Sequence, residues 1–405
     1  MENCLTFEEA RALLLEKTRS VGTEPLSLED CGDRILAGRV TAPRDVPPFA
    51  RSPYDGYAFR ACDSAGASRE KPVTLRVLEE VAAGSLSRLP VTEGTAVRIM
   101  TGAPIPPGAD AVVMFEKTVF TAETVTLFAP AETGENVVPA GEDVRAGTTL
   151  AEAGTRIDAG LLGSLASQGL RSLEVYRRPR AGIISTGSEL MELDQPPAAG
   201  KIYNSNRYTF TALLREAGLD PVWLGSAGDR VEDIAALIRR GLGDCDAVLL
   251  TGGVSVGDFD LTPAAMEACG AEIFFRRVSM KPGMACCYGM AEGTLLCGLS
   301  GNPAAAMTSY YAVALPALKK LCGQCRCLPR TLTVKLKGDF PKKSPVTRIL
   351  RGVLELSGGE VCMALPREQG NGVLSSTVGC DAMAVVPAGS GPLEAGTKLK
   401  GFMLR

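Results

Sequence analysis

Residues 246–260 read DAVLLTGGVSVGDFD, an apolar run that passes directly into a glycine-rich loop ending in acidic residues. An apolar run of this length, bounded by glycine, predicts a strand buried on both faces of a sheet. Similar runs recur between residues 177 and 326, and segments with helical periodicity separate them: YTFTALLREAG, VEDIAALIRRGL and PAAAMTSYYAVALPALKKL. Strands that alternate with helices predict a mostly parallel sheet covered by helices on both faces.

The sequence on either side of this α/β domain has a different pattern. Residues 47–143 contain short strand-like runs with glycine and proline turns, which indicate a β-rich domain inserted into the chain. The flanking residues 1–46 and 144–176 are predicted to form an N-terminal helical and linker domain, and residues 327–405 a barrel-like β domain. The expected fold class is therefore a multidomain α/β plus β protein.

Composition excludes several classes of protein. The chain of 405 residues contains no histidine, which removes Ser-His-Asp and Cys-His catalysis and every histidine-ligated metal. A net charge of −3 provides no general attraction for nucleic acid or anionic lipid, so neither is expected as a partner. The first residues lack a signal-peptide pattern, and no apolar run could span a bilayer. Thirteen cysteines in such a chain are expected to be reduced thiols of a cytoplasmic protein.

Unusual residues follow the predicted strands of the α/β domain, where an open parallel sheet binds its ligands. Glycine-rich loops and a helix that opens with Asn-Pro suit the binding of a phosphate or another oxyanion. Carboxylates suit the binding of Mg²⁺. A lysine, with Arg277 nearby, neutralises the charge of a bound anion. These candidates are Glu189, Asp229, Gly252, Gly253, Ser255, Gly257, Asp260, Lys281, Ser300, Gly301, Asn302 and Pro303.

Each feature also has a purely structural interpretation. Glycine loops can be plain turns, an Asn-Pro pair can be only a helix cap, and acidic loop residues are usually solvated. The concentration of such features at one sheet edge favours a binding site. By contrast, the spacing around Asp55, Thr101 and Asp143 indicates turns and strand ends. Three cysteines at Cys322, Cys325 and Cys327 could begin a zinc site, but no second pair or histidine follows at a usable spacing.

Several separated motifs resemble, in the same order, the molybdopterin molybdenumtransferases, the MoeA family related to the E domain of gephyrin. The motifs are SPYDGYAFR, RIMTGAPIPPGADAVVMFE, GENVVPAGEDV, STGSEL, IYNSN, TGGVSVGDFD, MKPG and GLSGNP. The resemblance implies a homodimer of four-domain chains with a cleft between subunits. It also implies insertion of molybdate into adenylylated molybdopterin, with Mg²⁺-assisted release of AMP.

The resemblance assigns roles residue by residue. The family's functional positions match Asp55, Thr101, Asp143, Glu189, Asp229, Asp260 and Lys281, with Asp55 and Thr101 expected from the partner subunit. The implied Mg²⁺ ligands are Glu189, Asp229 and Asp260. The glycine loop with Ser255 is expected to hold the pterin phosphates. Lys281, the Asn302 helix terminus, Arg348 and Ser376 are expected to hold molybdate.

The chain departs from the family pattern near the expected oxyanion site. Met284 and Ala305 stand where the family has a lysine and a hydroxyl, which leaves the choice between molybdate and tungstate open. Two other functions are alternatives for this sequence: an adenylyltransferase on the same α/β module, and a gephyrin-like scaffold. The TGGVSVG loop and the flanking domains disfavour the first, and the absence of a second α/β domain and long linker disfavours the second. Other proteins of the molybdenum cofactor pathway are further candidate partners.

Overall fold

The computed structural model describes residues 4–255 and 261–404, so the predicted site residues Gly257 and Asp260 lie outside the described part. The chain begins with a helix that has a capping box: the Thr6 hydroxyl accepts from the Glu9 amide at 3.2 Å, and the Glu9 carboxylate accepts from the Thr6 amide at 2.8 Å. These reciprocal bonds fix the helix start. The first elements are α1 (Phe7–Lys17), β1 (Thr23–Ser27) and β2 (Val40–Thr41).

The inserted β-rich segment forms a six-stranded sheet with the strand order β6-β3-β5-β4-β8-β7. Strand β3, with the sequence GYAF, is fully buried and was not predicted, because the preceding Asp55-Gly56 pair resembles a turn. A Cβ at Gly56 would lie 1.9 Å from the Val113 carbonyl oxygen, so glycine is required where β3 meets β6. The strands are β3 (Gly56–Phe59), β4 (Val73–Val81), β5 (Thr95–Ile99), β6 (Ala111–Met114), β7 (Thr118–Phe120) and β8 (Thr124–Leu127).

The chain then returns to the N-terminal segment through β9 (Thr149–Ala151), α2 (Ala159–Ser167) and β10 (Ser172–Tyr176). Strand β10 pairs antiparallel with β1, and β9 with β2. Helix α2 contributes Leu165 to a small core with Leu36 and Val175. Helix α1 is not part of that core, because its apolar residues pack into the central domain.

The central sheet has the order β14-β11-β15-β19-β18-β16. Strands β14, β11, β15 and β19 are parallel neighbours, while β18 is antiparallel to both β19 and β16, so the prediction of a mostly parallel sheet is confirmed. Strand β18, ACCYGMA, was missed, since small residues and a glycine conceal its strand pattern. The strands are β11 (Arg180–Thr186), β12 (Leu190–Met191), β13 (Ile202–Tyr203), β14 (Asp220–Ala227), β15 (Ala247–Thr251), β16 (Glu272–Arg277), β17 (Met280–Lys281), β18 (Ala285–Ala291) and β19 (Thr294–Leu299).

Helices cover both faces of this sheet. One apolar cluster joins α1, α3 and the long helix after β19 to residues such as Ile183 and Leu249, and a second joins α4 and α5 to Ile184 and Leu250. Because neighbouring strand residues point to opposite faces, consecutive residues of one strand serve both clusters. The helices are α3 (Ser205–Glu216), α4 (Val231–Asp244), α5 (Thr262–Glu267) and α6 (Pro303–Ser309), which continues through a π-helical turn (Tyr310–Ala314) into α7 (Leu315–Leu321).

The C-terminal strands close into a barrel. Its strands are β20 (Thr331–Leu336), β21 (Thr347–Ser357), β22 (Glu360–Ala364), β23 (Ala382–Val386) and β24 (Lys398–Met403). The ring runs β21-β22-β20-β24-β23 and returns to β21, which confirms the barrel-like prediction, although β24 was not predicted. Strand β17 of the central domain pairs in parallel with β21, placing Lys281 opposite Arg348. This pairing fixes the barrel beside the central sheet. In the described residues, helices long and apolar enough to cross a membrane were not found.

An ion pair joins the linker before the central domain to the start of β15. The Asp246 carboxylate accepts two bonds from the Arg177 guanidinium, at 2.8 and 2.5 Å, and one from the Arg180 amide at 2.8 Å. Burial alone would raise the pKa of Asp246, but these donors outweigh it and hold the pKa below the ordinary value of 3.8. The carboxylate therefore stabilises the folded state in its charged form.

Replacing this carboxylate tests its contribution. We expect Asp246→Asn to lower the free energy of unfolding by about 2 kcal/mol at neutral pH, because charge-assisted bonds to Arg177 are lost. The wild-type advantage should be complete above the ordinary aspartate pKa and should vanish as the pH falls through the lowered pKa of the folded state. Urea unfolding at several pH values measures both effects. The exposed neighbour Asp244→Asn is the control, and equal stability of Asp246→Asn and wild type at neutral pH would contradict the account.

Candidate active site

A cleft of about 1290 Å³ lies at the carboxyl edge of the central sheet. The loops after β11, β14, β15 and β19 open into it, together with the end of β16 and the start of β18. The prediction that these loops meet at one edge is therefore confirmed. Predicted site residues that line the cleft are Glu189, Asp229, Gly252, Gly253, Ser255, Lys281, Ser300, Gly301, Asn302 and Pro303.

Three carboxylates line the cleft, and the two predicted ones, Glu189 and Asp229, come from loops after neighbouring strands, whereas Glu267 pairs with Arg276. Glu189 follows β11 and Asp229 follows β14, and both side chains are exposed to the cleft. Gly187 has a φ of +138°, and a Cβ there would lie 2.3 Å from the Glu189 carboxylate oxygen Oε2. Glycine at this position therefore lets the Glu189 side chain fold back over the loop. Parallel pairing of β11 with β14 brings the two acidic loops to the same edge.

The glycine loop after β15 lies in close contact with its neighbours. Gly252 has a φ of +102°, and a Cβ there would lie 2.5 Å from the Thr186 carbonyl oxygen. The Gly252 amide donates to the Leu299 carbonyl at 3.0 Å, so it cannot donate to an oxyanion as the sequence suggested. Its role is instead to permit close packing of three loops, since a Cβ at Gly301 would also lie only 3.4 Å from the Gly252 Cα. No such bond occupies the Gly253 amide within the described residues.

Two helix N-termini face the cleft. Asn302 is the cap residue of α6 and Pro303 its first residue, as predicted, although the Asn302 side chain makes no capping bond. The start of α3 was not predicted as part of the site. There the Asn204 side chain accepts a hydrogen bond from the Arg207 amide at 3.2 Å. Its neighbour Asn206 donates to the Gly301 carbonyl at 2.9 Å and ties the two loops together. An asparagine before a helical run was the available signal.

Three cationic side chains line the same cleft: Arg276, Arg277 and Lys281. Arg276 forms an ion pair with Glu267, so its charge is compensated. Arg277 donates to the Met284 sulfur at 3.5 Å and forms no ion pair with a carboxylate in the described part of the chain. Met284 and Ala305 both line the cleft, so the two departures from the family pattern fall within the site.

The C-terminal barrel contributes a loop to the cleft wall through Asn371, Gly372 and Leu374. The Ala305 amide of α6 donates to the Asn371 carbonyl at 3.1 Å, which fixes this loop against the helix start. Within the loop, the buried Ser376 hydroxyl accepts from Nε and Nη2 of the buried Arg351 at 3.2 and 3.0 Å.

The arginine predicted to hold molybdate together with Ser376 was Arg348, which lies on β21 three residues before Arg351. The Arg348 guanidinium donates to Ser344 and lies over the Phe340 ring, away from the cleft lining. Arg351 is fully buried, and its Nη1 atom has no hydrogen-bond partner in the described residues. Burial lowers the pKa of Arg351, and no carboxylate forms an ion pair with it among residues 4–255 and 261–404. Neither Arg351 nor Ser376 is among the residues that line the cleft, and Arg351 was not predicted as a site residue.

The predicted residues Asp55 and Thr101 meet in the inserted sheet, outside the cleft of their own chain. The Asp55 carboxylate accepts from the Thr101 amide at 2.6 Å and from its hydroxyl at 2.7 Å. The hydrogen bond from the Thr101 amide has the larger effect and the hydrogen bond from its hydroxyl the next. Both lower the pKa of Asp55, so this carboxylate stays charged. Asp143 is exposed in a turn, where its amide donates to the Val46 carbonyl at 3.0 Å.

Hard oxygen ligands are available for Mg²⁺ in the cleft, since Glu189 and Asp229 are exposed carboxylates. The third predicted ligand, Asp260, lies outside the described residues. Groups of three or more His, Cys, Asp or Glu that could hold a metal are absent from the described residues. Of the clustered cysteines, the Cys322 thiol donates to the Ala217 carbonyl and the Cys327 thiol to the Gln324 carbonyl, whereas Cys325 is exposed.

Comparison with known families agrees with this architecture. Residues 5–169 match the MoeA N-terminal region (domain I and II), residues 182–320 a probable molybdopterin binding domain, and residues 333–400 the MoeA C-terminal region (domain IV). A crystal structure of a molybdopterin biosynthesis MoeA protein from Pyrococcus horikoshii superimposes with a TM-score of 0.86 at 28% identity, covering 100% of both chains. The fold and site thus define a MoeA-type protein.

Curated relatives extend the comparison to sequence. A molybdopterin molybdenumtransferase from Bacillus subtilis is 38% identical over 95% of this chain and 90% of its own length. One from Staphylococcus epidermidis is 35% identical over 97% of this chain and 94% of its own length. The chain belongs to the molybdopterin molybdenumtransferase family, which confirms the family resemblance, and it is an enzyme of molybdenum cofactor biosynthesis.

The close packing at Gly252 leads to a direct test. We expect Gly252→Ala to lower the free energy of unfolding by about 1–3 kcal/mol, because the positive φ is strained for alanine and its Cβ would meet the Thr186 carbonyl. The displaced loop should also weaken pyrophosphate binding, measured by isothermal titration calorimetry. Gly243→Ala is the matched control, since a Cβ there meets nothing within 4 Å. Unchanged pyrophosphate binding by Gly252→Ala would show that the loop does not shape the ligand site.

Proposed function

We propose that the cleft inserts molybdate, or tungstate, into adenylylated molybdopterin and releases AMP in a Mg²⁺-dependent reaction. The observation that carries this proposal is the shared cleft itself. One sheet edge collects three carboxylates, a glycine loop, two helix N-termini and three cations around about 1290 Å³. This combination suits a substrate that joins a phosphoanhydride to flat heterocyclic rings, because the ligand needs both anion binding and a large concave surface.

The carboxylates Glu189 and Asp229 would hold Mg²⁺, with Asp260 as a third ligand. Their donor set fits this ion, because Mg²⁺ prefers carboxylate oxygens and water. When bound, the ion would supply charge neutralisation at the bridging phosphate oxygens. The chain itself would orient the substrate. The Gly253 amide and the α6 terminus at Asn302 and Pro303 would face its phosphates.

Molybdate is a tetrahedral dianion, so its binding requires fixed cationic or amide donors. We propose that Lys281 and Arg277 approach it from the central domain and that Arg351 and Ser376 do so from the barrel. Arg351 replaces Arg348 in this proposal, because Arg351 bonds directly to Ser376 while Arg348 is engaged elsewhere. The buried Nη1 atom of Arg351, which has no partner in the described residues, supports this assignment, because a buried guanidinium without an anion is costly.

The Asp55–Thr101 pair supports the proposal of a homodimer. The two residues are held together in a charged, hydrogen-bonded arrangement that the cleft of the same chain does not use. A second copy of the chain could bring its inserted sheet, and with it Asp55 and Thr101, to the cleft. Asp143 would then contribute from the same inserted segment.

Four further expectations stay predictions. They are the division into domains at residues 46, 143, 176 and 326, the cytoplasmic location, contact with other proteins of the pathway, and roles for Gly257 and Ser255 in phosphate binding. Ser255 lines the cleft and is exposed there, which is compatible with such a role.

An assay of AMP release tests the proposal. Purified enzyme receives adenylylated molybdopterin, Mg²⁺ and molybdate, and AMP and molybdenum cofactor are quantified. We expect Glu189→Gln and Asp229→Asn to slow AMP release by about a hundredfold or more, because the loss of roughly 3 kcal/mol of charge stabilisation has that effect on a rate. The exposed helix residue Glu232→Gln is the control and should act as wild type. If both cleft variants release AMP at the wild-type rate, the proposed function is wrong.

A further inference from the structure

A second cavity of about 570 Å³ lies apart from the cleft and shares no lining residue with it. Its walls come from the N-terminal segment, the linker before β11, the end of α3 and the long helix after β19. A cavity of this size accommodates a small organic molecule. The proposed reaction in the cleft makes no use of it.

The cavity has an apolar floor. Leu213 from α3, together with Tyr310, Tyr311 and Leu315 from the long helix, presents side chains that belong to the main core. The Tyr310 hydroxyl donates to the Leu213 carbonyl at 3.0 Å, so its polar end already has a partner. A ligand that reaches this floor would meet mainly leucine side chains and tyrosine rings.

The rim of the cavity is cationic. Three of its six cations are paired: Arg34 with Glu24, Arg156 with Asp33, and Arg177 with Asp246.

The remaining cations are Arg178, Arg215 and Lys319. Among residues 4–255 and 261–404, none of them forms an ion pair with a carboxylate. Burial lowers the pKa of Lys319; the thiol of Cys327 opposes this effect, and the positive charges of Arg156 and Arg330 add to it. The lining carboxylates, Asp33 and Glu216, are too few to balance the cations. An anion in the cavity would relieve this repulsion.

We propose that the second cavity binds a small amphipathic anion, namely a phosphate monoester with an aromatic or other apolar body. Arg178, Arg215 and Lys319 would hold the phosphate group, and the floor formed by Leu213, Tyr310, Tyr311 and Leu315 would cover the apolar body. Guanidinium groups suit this role, because they donate two parallel hydrogen bonds to phosphate oxygens. The site is independent of the proposed reaction in the cleft.

Calorimetric titration of the full chain with three probes tests this proposal. p-Nitrophenyl phosphate carries charge and ring, inorganic phosphate only charge, and the neutral nitrobenzene only the ring. We expect p-nitrophenyl phosphate to bind more tightly than either partial probe. The double substitution Arg215→Gln and Lys319→Gln should weaken one binding event by about a hundredfold or more, since each lost charge-assisted bond to phosphate weakens binding by about tenfold or more.

Two controls separate this site from the cleft and from general charge. Arg88→Gln with Lys117→Gln makes the same charge change at exposed positions of the inserted segment and should leave the isotherm unchanged. Lys281→Gln should affect only binding in the cleft. The proposal is overturned if the Arg215 and Lys319 variant binds p-nitrophenyl phosphate like wild type, or if nitrobenzene binds as tightly as p-nitrophenyl phosphate. It is also overturned if sedimentation shows that this variant changes only subunit association, because the cavity would then be an interface.

Discussion

The cleft depends on one close backbone approach, at Gly252. Its amide donates to the Leu299 carbonyl, and its α-carbon lies against the Thr186 carbonyl, so three parallel strands end within contact distance of each other. A side chain at this position would force the strand ends apart. The acidic loop after β11, the glycine loop after β15 and the helix start after β19 can therefore surround one ligand. The geometry of the site is set by backbone packing before any charged side chain contributes.

Charge in the cleft is divided between two walls. The carboxylates Glu189 and Asp229 follow the strands on one side of Gly252, and Arg276, Arg277 and Lys281 lie on the other side, near the barrel. This division suits a substrate with a phosphoanhydride at one end and an incoming oxyanion at the other. The pairing of β17 with β21 matters here, because it holds the barrel, whose loop through Asn371 and Gly372 lines the cleft, beside Lys281. A separate barrel would leave that wall incomplete.

The central domain was predictable because its signals are local. Apolar strands followed by glycine and acidic loops, such as 246–260, identify both the sheet and its binding edge. Strands β3, β18 and β24 were missed because their short or small-residue runs gain their stability from burial between neighbours, which a single segment does not reveal. The meeting of Asp55 with Thr101 depends on the pairing of β3 with β5, which brings distant parts of the sequence together. No spacing rule could have shown it.

The two arginines of β21, Arg348 and Arg351, show a second limit of prediction from the sequence. Side chains alternate between the two faces of β21: Leu350 belongs to the barrel core, while Ile349 belongs to the core of the central domain. Arg351 shares the face of Ile349 and bonds to Ser376, whereas Arg348 shares the face of Leu350 and lies over Phe340. The family resemblance pointed to Arg348 on this strand as a ligand of molybdate. Only the closure of the barrel determines which arginine contacts Ser376.

The most direct test of the account is a crystal structure of the full chain with AMP and Mg²⁺ bound. We expect electron density for the AMP phosphate between the Gly252–Gly253 loop and the start of α6, with Glu189 and Asp229 as ligands of Mg²⁺. Density for AMP at a different surface, with this edge of the sheet empty under the same conditions, would contradict it.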